Sequence, residues 1–170
     1  MSKKMKVACL IVSFLLLSSC SFGKGVGGMI YSDDGAKANA RLEQVLEANE
    51  TGNRDLLKSL FSEYALQKTT NLDEGIDYLF EFVQGDIKSW KKRGGYSGGP
   101  RHYGHNIKSS LYWFYVDTEV EHYLVTIEEY TEYTDEPEKV GVYKLLVTTL
   151  EGEDNIFEGL GIYIPEGWTP

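Results

Sequence analysis

The pattern of apolar and polar positions divides the chain into a helical part and, beyond Gly85, a strand-rich part. Apolar residues recur at helical spacing in three stretches: 36–50, 54–61 and 72–83. Apolar and polar residues then alternate in five stretches: 86–97, 103–115, 120–133, 140–150 and 156–164. The turns between these stretches are short, which favours antiparallel pairing. We therefore predict an α+β domain with three N-terminal helices packed on an antiparallel sheet of about five strands.

The strand predicted at 103–115 carries four consecutive aromatic residues, at positions 112–115. In a strand, successive side chains point to opposite faces, so two of the four belong to each face. If one face meets the helices, the other can present aromatic side chains to a ligand or partner. On this basis the candidate ligand-binding residues are Trp90, Tyr112, Trp113, Tyr115 and Tyr123. The alternative is packing in the core, which we expect to account for about half of the aromatic residues here.

A different kind of segment precedes the domain. Lys3, Lys4 and Lys6 come before an apolar run at 7–17, the arrangement typical of a secretory signal peptide. This run is well short of the ~20 residues that a helix needs to cross a bilayer. The run ends in the sequence Leu-Ser-Ser-Cys at 17–20, which resembles the bacterial lipoprotein box. The resemblance implies cleavage before Cys20 and a diacylglyceryl group on its sulfur.

The number of cysteines favours lipidation of Cys20 over an ordinary thiol. Cys9, the chain's other cysteine, lies within the predicted signal peptide, so Cys20 would have no disulfide partner after export. Two acyl chains are enough for stable membrane attachment. We therefore predict a signal peptide at 1–19, a lipidated cysteine with a flexible glycine-rich tether at 20–33, and one domain at 34–170.

A phosphate-binding loop in the tether is disfavoured, because no strand precedes the glycines and no Gly-Lys-Ser/Thr sequence follows them.

The charge of the chain limits the classes of partner. The net charge is −9, and removal of the three signal-peptide lysines gives −9 − 3 = −12. Nucleic-acid binding is not expected, because it depends on clustered Lys and Arg. An anionic lipid surface would also repel the domain, so the lipid anchor must hold it at the membrane. The predicted location is extracytoplasmic, on a bacterial membrane.

Charged residues are distributed unevenly along the chain. Residues 87–108 contain six basic residues and no acidic one, whereas 109–138 contain nine acidic residues and no basic one. Pairing between neighbouring strands is the favoured interpretation, and an anion- or phospholipid-binding patch is the alternative.

The third predicted helix carries three acidic residues along one side: Asp73, Asp77 and Glu81. A solvated acidic face is favoured there over a cation site.

Two sets of motifs carry a resemblance to known families. The segment Asn-Arg-Asp-Leu-Leu-Lys-Ser-Leu-Phe-Ser at 53–62, within the helix-then-sheet order, resembles the second helix of the ketosteroid isomerase and nuclear transport factor two superfamily. The lipoprotein box, Gly-Asp-Ile-Lys-Ser at 85–89 and Gly-Ile-Tyr-Ile-Pro at 161–165 resemble a family of uncharacterised bacterial lipoproteins with that fold. The resemblance implies a curved sheet wrapped into a cone (cystatin-like or ketosteroid-isomerase-like). It implies no catalytic residues, since a fold alone does not assign a function.

Catalytic and metal-binding patterns are weak. An isomerase of this kind would need a carboxylate in an apolar strand position, where burial raises its pKa. Asp117 and Glu119 are expected at a turn, and Glu128, Glu129 and Glu132 towards a polar strand end. His102 and His105 are three positions apart, so on one strand they would point to opposite faces, although His122 could join one of them as a third ligand. We predict no catalytic residues, no metal site and no cofactor.

The sequence therefore favours a lipid-anchored, non-enzymatic binding module of the cell envelope. Its partner would be a small ligand held in the cone, a peptide, or an envelope protein docked on the sheet. An isomerase- or dehydratase-like enzyme is the second hypothesis, and it requires a buried carboxylate beside a Tyr inside a pocket. A structural envelope protein, forming a homodimer through its sheet, is the third.

Overall fold

The computed structural model describes residues 33–150. Within this range four helices precede an antiparallel sheet of five strands. The helices α1 to α4 span Asp34–Thr51, Arg54–Ser59, Glu63–Lys68 and Leu72–Phe82. The strands β1 to β5 span Ile87–Gly98, Arg101–His102, His105–Thr118, His122–Tyr133 and Gly141–Thr149, and a 3₁₀ turn at Pro137–Lys139 precedes β5. The predicted α+β class and the order of helices before sheet are confirmed.

The first helix forms because its apolar residues lie on one side. Ala38, Leu42 and Val45 are buried, and their spacing matches one face of an α-helix. The helix ends at Gly52, whose φ of 61° is left-handed and is readily adopted by glycine at this position. The amide N–H of Asn53 then donates to the Ala48 carbonyl at 2.8 Å, which satisfies one of the free carbonyls at the helix end.

The prediction of three helices is wrong by one, because α3 was missed. Both α2 and α3 have six residues, but Ala65 is the one buried residue within α3. The sequence of α3 therefore lacks an apolar edge such as Leu56, Leu57 and Leu60 provide at α2. The side chain of Ser62 caps it by accepting a hydrogen bond from the amide N–H of Ala65 at 3.1 Å. The equivalent cap on α2 is Asn53, whose side chain accepts from the amide N–H of Leu56 at 3.0 Å.

The strands of the sheet lie in the order β1-β3-β4-β5, with β2 paired to the start of β3. β2 was not predicted. It forms a tight turn with β3. Tyr103 lies in that turn with a φ of 45°, and not in the strand predicted at 103–115. Tyr103 therefore belongs to neither sheet face. The strand predicted at 156–164, the segment 1–19 and residues 20–32 of the predicted tether lie outside the described residues.

The core lies between the helices and one face of the sheet. In β3 the buried positions alternate, with Tyr112, Phe114 and Val116 buried and the residues between them half-buried. These side chains meet the apolar sides of the helices, for example Leu42 of α1, Leu57 of α2 and Ile76 of α4. β3 is therefore a central strand with one face in the core and a second face directed away from the helices.

The acidic side of α4 contacts the neighbouring helix α2. Asp73 lies 2.6 Å from the ammonium nitrogen of Lys58, and Asp77 pairs with Arg54. The Lys58 ammonium lowers the pKa of Asp73 below its usual value. These ion pairs join α4 to α2, so the face is neither a cation site nor only solvated.

Among the described residues, no helix is long and apolar enough to cross a membrane.

Candidate functional site

A cavity of about 660 Å³ lies on the sheet face directed away from the helices. We call this face the pocket face and define it by its central residues Leu111, Trp113, Leu124, Thr126 and Leu146. The remaining lining residues are Arg93, Gly94, Glu128, Lys144 and Thr148. The volume is within the range of about 300–1,000 Å³ that is usual for small-ligand sites.

The pairing of the strands assembles this pocket from four strands. Trp113 of β3 lies between Gly94 of β1 and Thr126 of β4, and Thr126 in turn pairs with Leu146 of β5. A Cβ placed at Gly94 would lie 3.6 Å from the Trp113 ring, an ordinary van der Waals distance, so this position beside the ring can accept a side chain. Neighbouring strands are about 4.8 Å apart, so this row extends about 14 Å across the sheet.

One end of the pocket carries a balanced set of polar groups. The Lys144 ammonium lies 2.8 Å from Glu128 Oε1, and the Tyr143 hydroxyl donates to Glu128 Oε2 at 3.2 Å. Burial and the charge of Glu128 raise the pKa of the Tyr143 hydroxyl. Tyr143 therefore stays protonated and remains a hydrogen-bond donor at neutral pH.

Arg93 lies at the β1 side of the pocket. The register of β1 on β3 shifts between Lys92 and Gly94, which leaves Arg93 as the additional residue of a β-bulge. Its guanidinium carbon lies 5.4 Å from the centroid of the Tyr115 ring, a cation–π distance. Between residues 33 and 150, no carboxylate forms an ion pair with Arg93.

The five candidate ligand-binding residues divide between the two faces of the sheet. Trp113 lines the pocket, and Tyr115 lies next to it beneath Arg93. Tyr112 and Tyr123 are buried in the core, and Trp90 packs against it with its ring 6.1 Å from that of Phe114. The structure thus brings together Trp113 and Tyr115, and separates them from the other three.

A small cavity of about 10 Å³ lies between the helices and the sheet, with an apolar lining that includes Leu79, Val116 and Val125. The Tyr123 hydroxyl, on the same side of the sheet, donates to the Phe82 carbonyl and accepts from the amide N–H of Gln84, both at 3.0 Å. These hydrogen bonds connect the end of α4 to β4 and give Tyr123 a structural role.

Two buried carboxylates lie near Tyr112 on the helix side, and each has a cationic partner. Glu129 is 4% exposed and accepts from Arg41 Nε at 2.9 Å, and Asp34 is 6% exposed and pairs with Lys108. Burial, followed by the charges of Asp34 and Glu129, raises the pKa of the Tyr112 hydroxyl. Each carboxylate near Tyr112 is therefore engaged by a cation of a neighbouring element.

The basic segment at 87–108, which runs from β1 to the start of β3, forms several kinds of contact. Lys88 pairs with Glu119 just after β3 at 2.5 Å, as the strand-pairing interpretation expects. Lys108 pairs instead with Asp34 of α1, and the Lys92 ammonium lies 5.4 Å from the Tyr112 ring centroid. Pairing with the acidic strand therefore explains only part of this segment.

The histidines do not converge. His105 lies at the start of β3 with its Nδ1 2.7 Å from Asp135, whereas His122 pairs with Asp117 near the end of β3, also at 2.7 Å. His102 lies against the ring of Tyr103 at the short turn. Within residues 33–150 there is no group of three His, Cys, Asp or Glu side chains that could hold a metal ion.

Sequence reasoning missed most of the residues that line the pocket. The alternation of apolar and polar residues within each strand includes Leu111, Leu124 and Leu146. Nothing in a single strand shows that these three side chains share one cavity. Arg93 was counted only as part of a basic segment. The adjacent Gly94 and Gly95 were the available signal, since glycine within a strand often marks a bulge.

Comparison with known families gives one match. The family described as Domain of unknown function (DUF5104) matches residues 44–150, which is more than half of the 170-residue chain. This range includes the pocket and most of the core. No protein of curated function matches the chain. The chain therefore belongs to the DUF5104 family.

Proposed function

We propose that this protein is a lipid-anchored binding module of the bacterial cell envelope, which holds a small apolar ligand in the cavity of the pocket face. The observation that carries the proposal is the cavity of about 660 Å³ with Leu111, Trp113, Leu124 and Leu146 in its lining. Apolar lining with a few placed polar groups is the usual composition of a ligand site. Here Arg93 and the Glu128–Lys144 pair supply the polar groups.

The location of the ligand differs from the cone interior that the sequence suggested. The cone-shaped fold remains part of the proposal, supported by the order of helices before sheet and by the packing of the helices on one sheet face. The cavity on that side is about 10 Å³, too small for a ligand. We therefore assign the ligand to the opposite face, where Trp113 and Tyr115 are the aromatic contacts.

The anchor is supported by sequence. The lysines, the apolar run and Cys20 support export and attachment of a diacylglyceryl group. The proposal places the domain outside the cell, where it can meet ligands or partners at the membrane surface.

Native mass spectrometry of the mature protein, purified gently from the bacterium that makes it, tests the binding function. We expect a reproducible additional mass on the wild type. Gly94→Leu should abolish it, because the new side chain enters the pocket beside Trp113 at a position where a Cβ meets no steric clash.

Gly98→Leu is the matched control. Gly98 is on the same strand, and a Cβ there has no atom within 4 Å, so this variant should keep the additional mass. A wild type without any bound mass, or a Gly94→Leu variant that retains it, would contradict the proposed site.

A further inference from the structure

We propose that the ligand of the pocket face is a single-chain amphiphile whose anionic headgroup pairs with Arg93. The inference rests on the proposed function and specifies its ligand class. It depends on three observations: the unbalanced charge of the pocket lining, the position of Arg93 at the β-bulge, and the extent of the apolar row across the sheet.

The charges of the pocket lining do not balance. The lining contains Arg93, Lys144 and Glu128, which sum to +1 + 1 − 1 = +1 although the chain as a whole carries −9. Glu128 already has Lys144 and the Tyr143 hydroxyl as partners. The remaining positive charge is that of Arg93, at the opposite side of the pocket.

Arg93 is available to an anion. The guanidinium of Arg93 lies over the face of the Tyr115 ring. Its five N–H donors lie in the plane of the guanidinium, and this contact does not use them. In the described range of the chain, no side-chain hydrogen bond or ion pair takes up these donors. A carboxylate or phosphate oxygen is the partner that such a fork of donors binds best.

The apolar part of the ligand follows from the strand register. Gly94, Trp113, Thr126 and Leu146 form a row across four strands, about 14 Å long at the usual strand spacing. Leu111 and Leu124 flank this row on β3 and β4. An extended alkyl chain laid along the row, with its headgroup at Arg93, would lie over Trp113, Thr126 and Leu146 and between Leu111 and Leu124.

Isothermal titration calorimetry with three probes of equal chain length tests the proposal at pH 8: decanoate, decyl phosphate and decanol. The protein is the mature chain with Cys20→Ser, which needs no detergent. We expect the wild type to bind an anionic probe about tenfold more tightly than decanol, the difference that one charge-assisted hydrogen bond supplies. Decanoate and decyl phosphate distinguish a carboxylate from a phosphate headgroup.

Three variants locate the effect. Arg93→Met should remove the preference for the anionic probes and leave the affinity for decanol unchanged, which also shows that the variant is folded. Arg93→Lys should keep part of the preference. Arg101→Met, which removes an exposed cation from β2 outside the pocket lining, should bind all three probes as the wild type does.

The possible failures are distinguishable. Equal binding of decanoate and decanol, unaffected by Arg93→Met but lost in Gly94→Leu, would overturn the anionic headgroup and leave the apolar pocket in place. Absence of binding by all three probes would overturn the proposed function as well. A dimer in the native mass spectrum would then assign the pocket face to a second copy of the chain.

Discussion

Gly95 is a position in β1 at which a side chain would clash directly with the neighbouring strand. A Cβ there would lie 2.5 Å from the Leu111 carbonyl oxygen and would overlap the Tyr112 ring. Its φ of 151° is also one that side-chain-bearing residues rarely adopt. The glycine thus permits the close approach of β1 to β3, directly beside the bulge that carries Arg93.

We predict that Gly95→Ala lowers the free energy of unfolding by at least about 2 kcal/mol, from steric overlap and backbone strain together. Gly98→Ala on the same strand should change it by less than about 0.5 kcal/mol, as expected for an open surface position. Urea unfolding followed by tryptophan fluorescence measures both values. Equal stability of the two variants would show that β1 does not approach β3 this closely.

At the scale of elements, two ion pairs attach the first half of α1 to the sheet. Arg41 contacts Glu129 of β4, and Asp34 contacts Lys108 of β3. The two partners of the Arg41–Glu129 pair differ in burial: the side chains are 25% and 6% exposed. Removing one partner from a buried pair leaves an uncompensated charge, so the cost depends on which residue is removed.

We predict that Arg41→Met lowers the free energy of unfolding by about 2–3 kcal/mol, because Glu129 is left charged and almost completely buried. Glu129→Gln should cost about 1 kcal/mol, since Arg41 can still donate to the amide oxygen and reach water. The double variant Arg41→Met/Glu129→Met should be more stable than Arg41→Met alone.

Lys37→Met on the same helix is the control for this series. Lys37 pairs with Asp33 at the surface, where solvent screens the charges and the pair adds little to stability. Chemical denaturation of the four variants gives the comparison. An Arg41→Met variant as stable as Lys37→Met would mean that the pair with Glu129 does not hold α1.

For the whole molecule, the central prediction concerns attachment to the membrane. Cys20→Ser should move the protein out of the membrane fraction and abolish incorporation of labelled fatty acid, because the proposed anchor is the pair of acyl chains on this sulfur. Cys9→Ser changes the other cysteine, which lies within the predicted signal peptide. This variant should stay in the membrane fraction and should still incorporate labelled fatty acid. Retention of Cys20→Ser in the membrane fraction would require a different anchor.

The local periodicity of the sequence was sufficient to predict the longer helices and strands. The stripe of Ala38, Leu42 and Val45 predicted α1, and the alternation around Tyr112 and Phe114 predicted the central strand, since each pattern depends on neighbours within one element. The Asn53 cap was predictable for the same reason. The six-residue α3 was not, because Ala65 is its one buried residue and its sequence shows no apolar edge.

The tertiary structure alone decided which face of the sheet carries the candidate site. Alternation divides the four consecutive aromatic residues into two pairs, Tyr112 with Phe114 and Trp113 with Tyr115, but both pairs are similarly apolar. Which pair meets the helices depends on how the helices dock, and which side chains share a cavity depends on register across four strands. The bulge at Arg93 and the burial of Glu129 also arise from these long-range pairings, which no local pattern encodes.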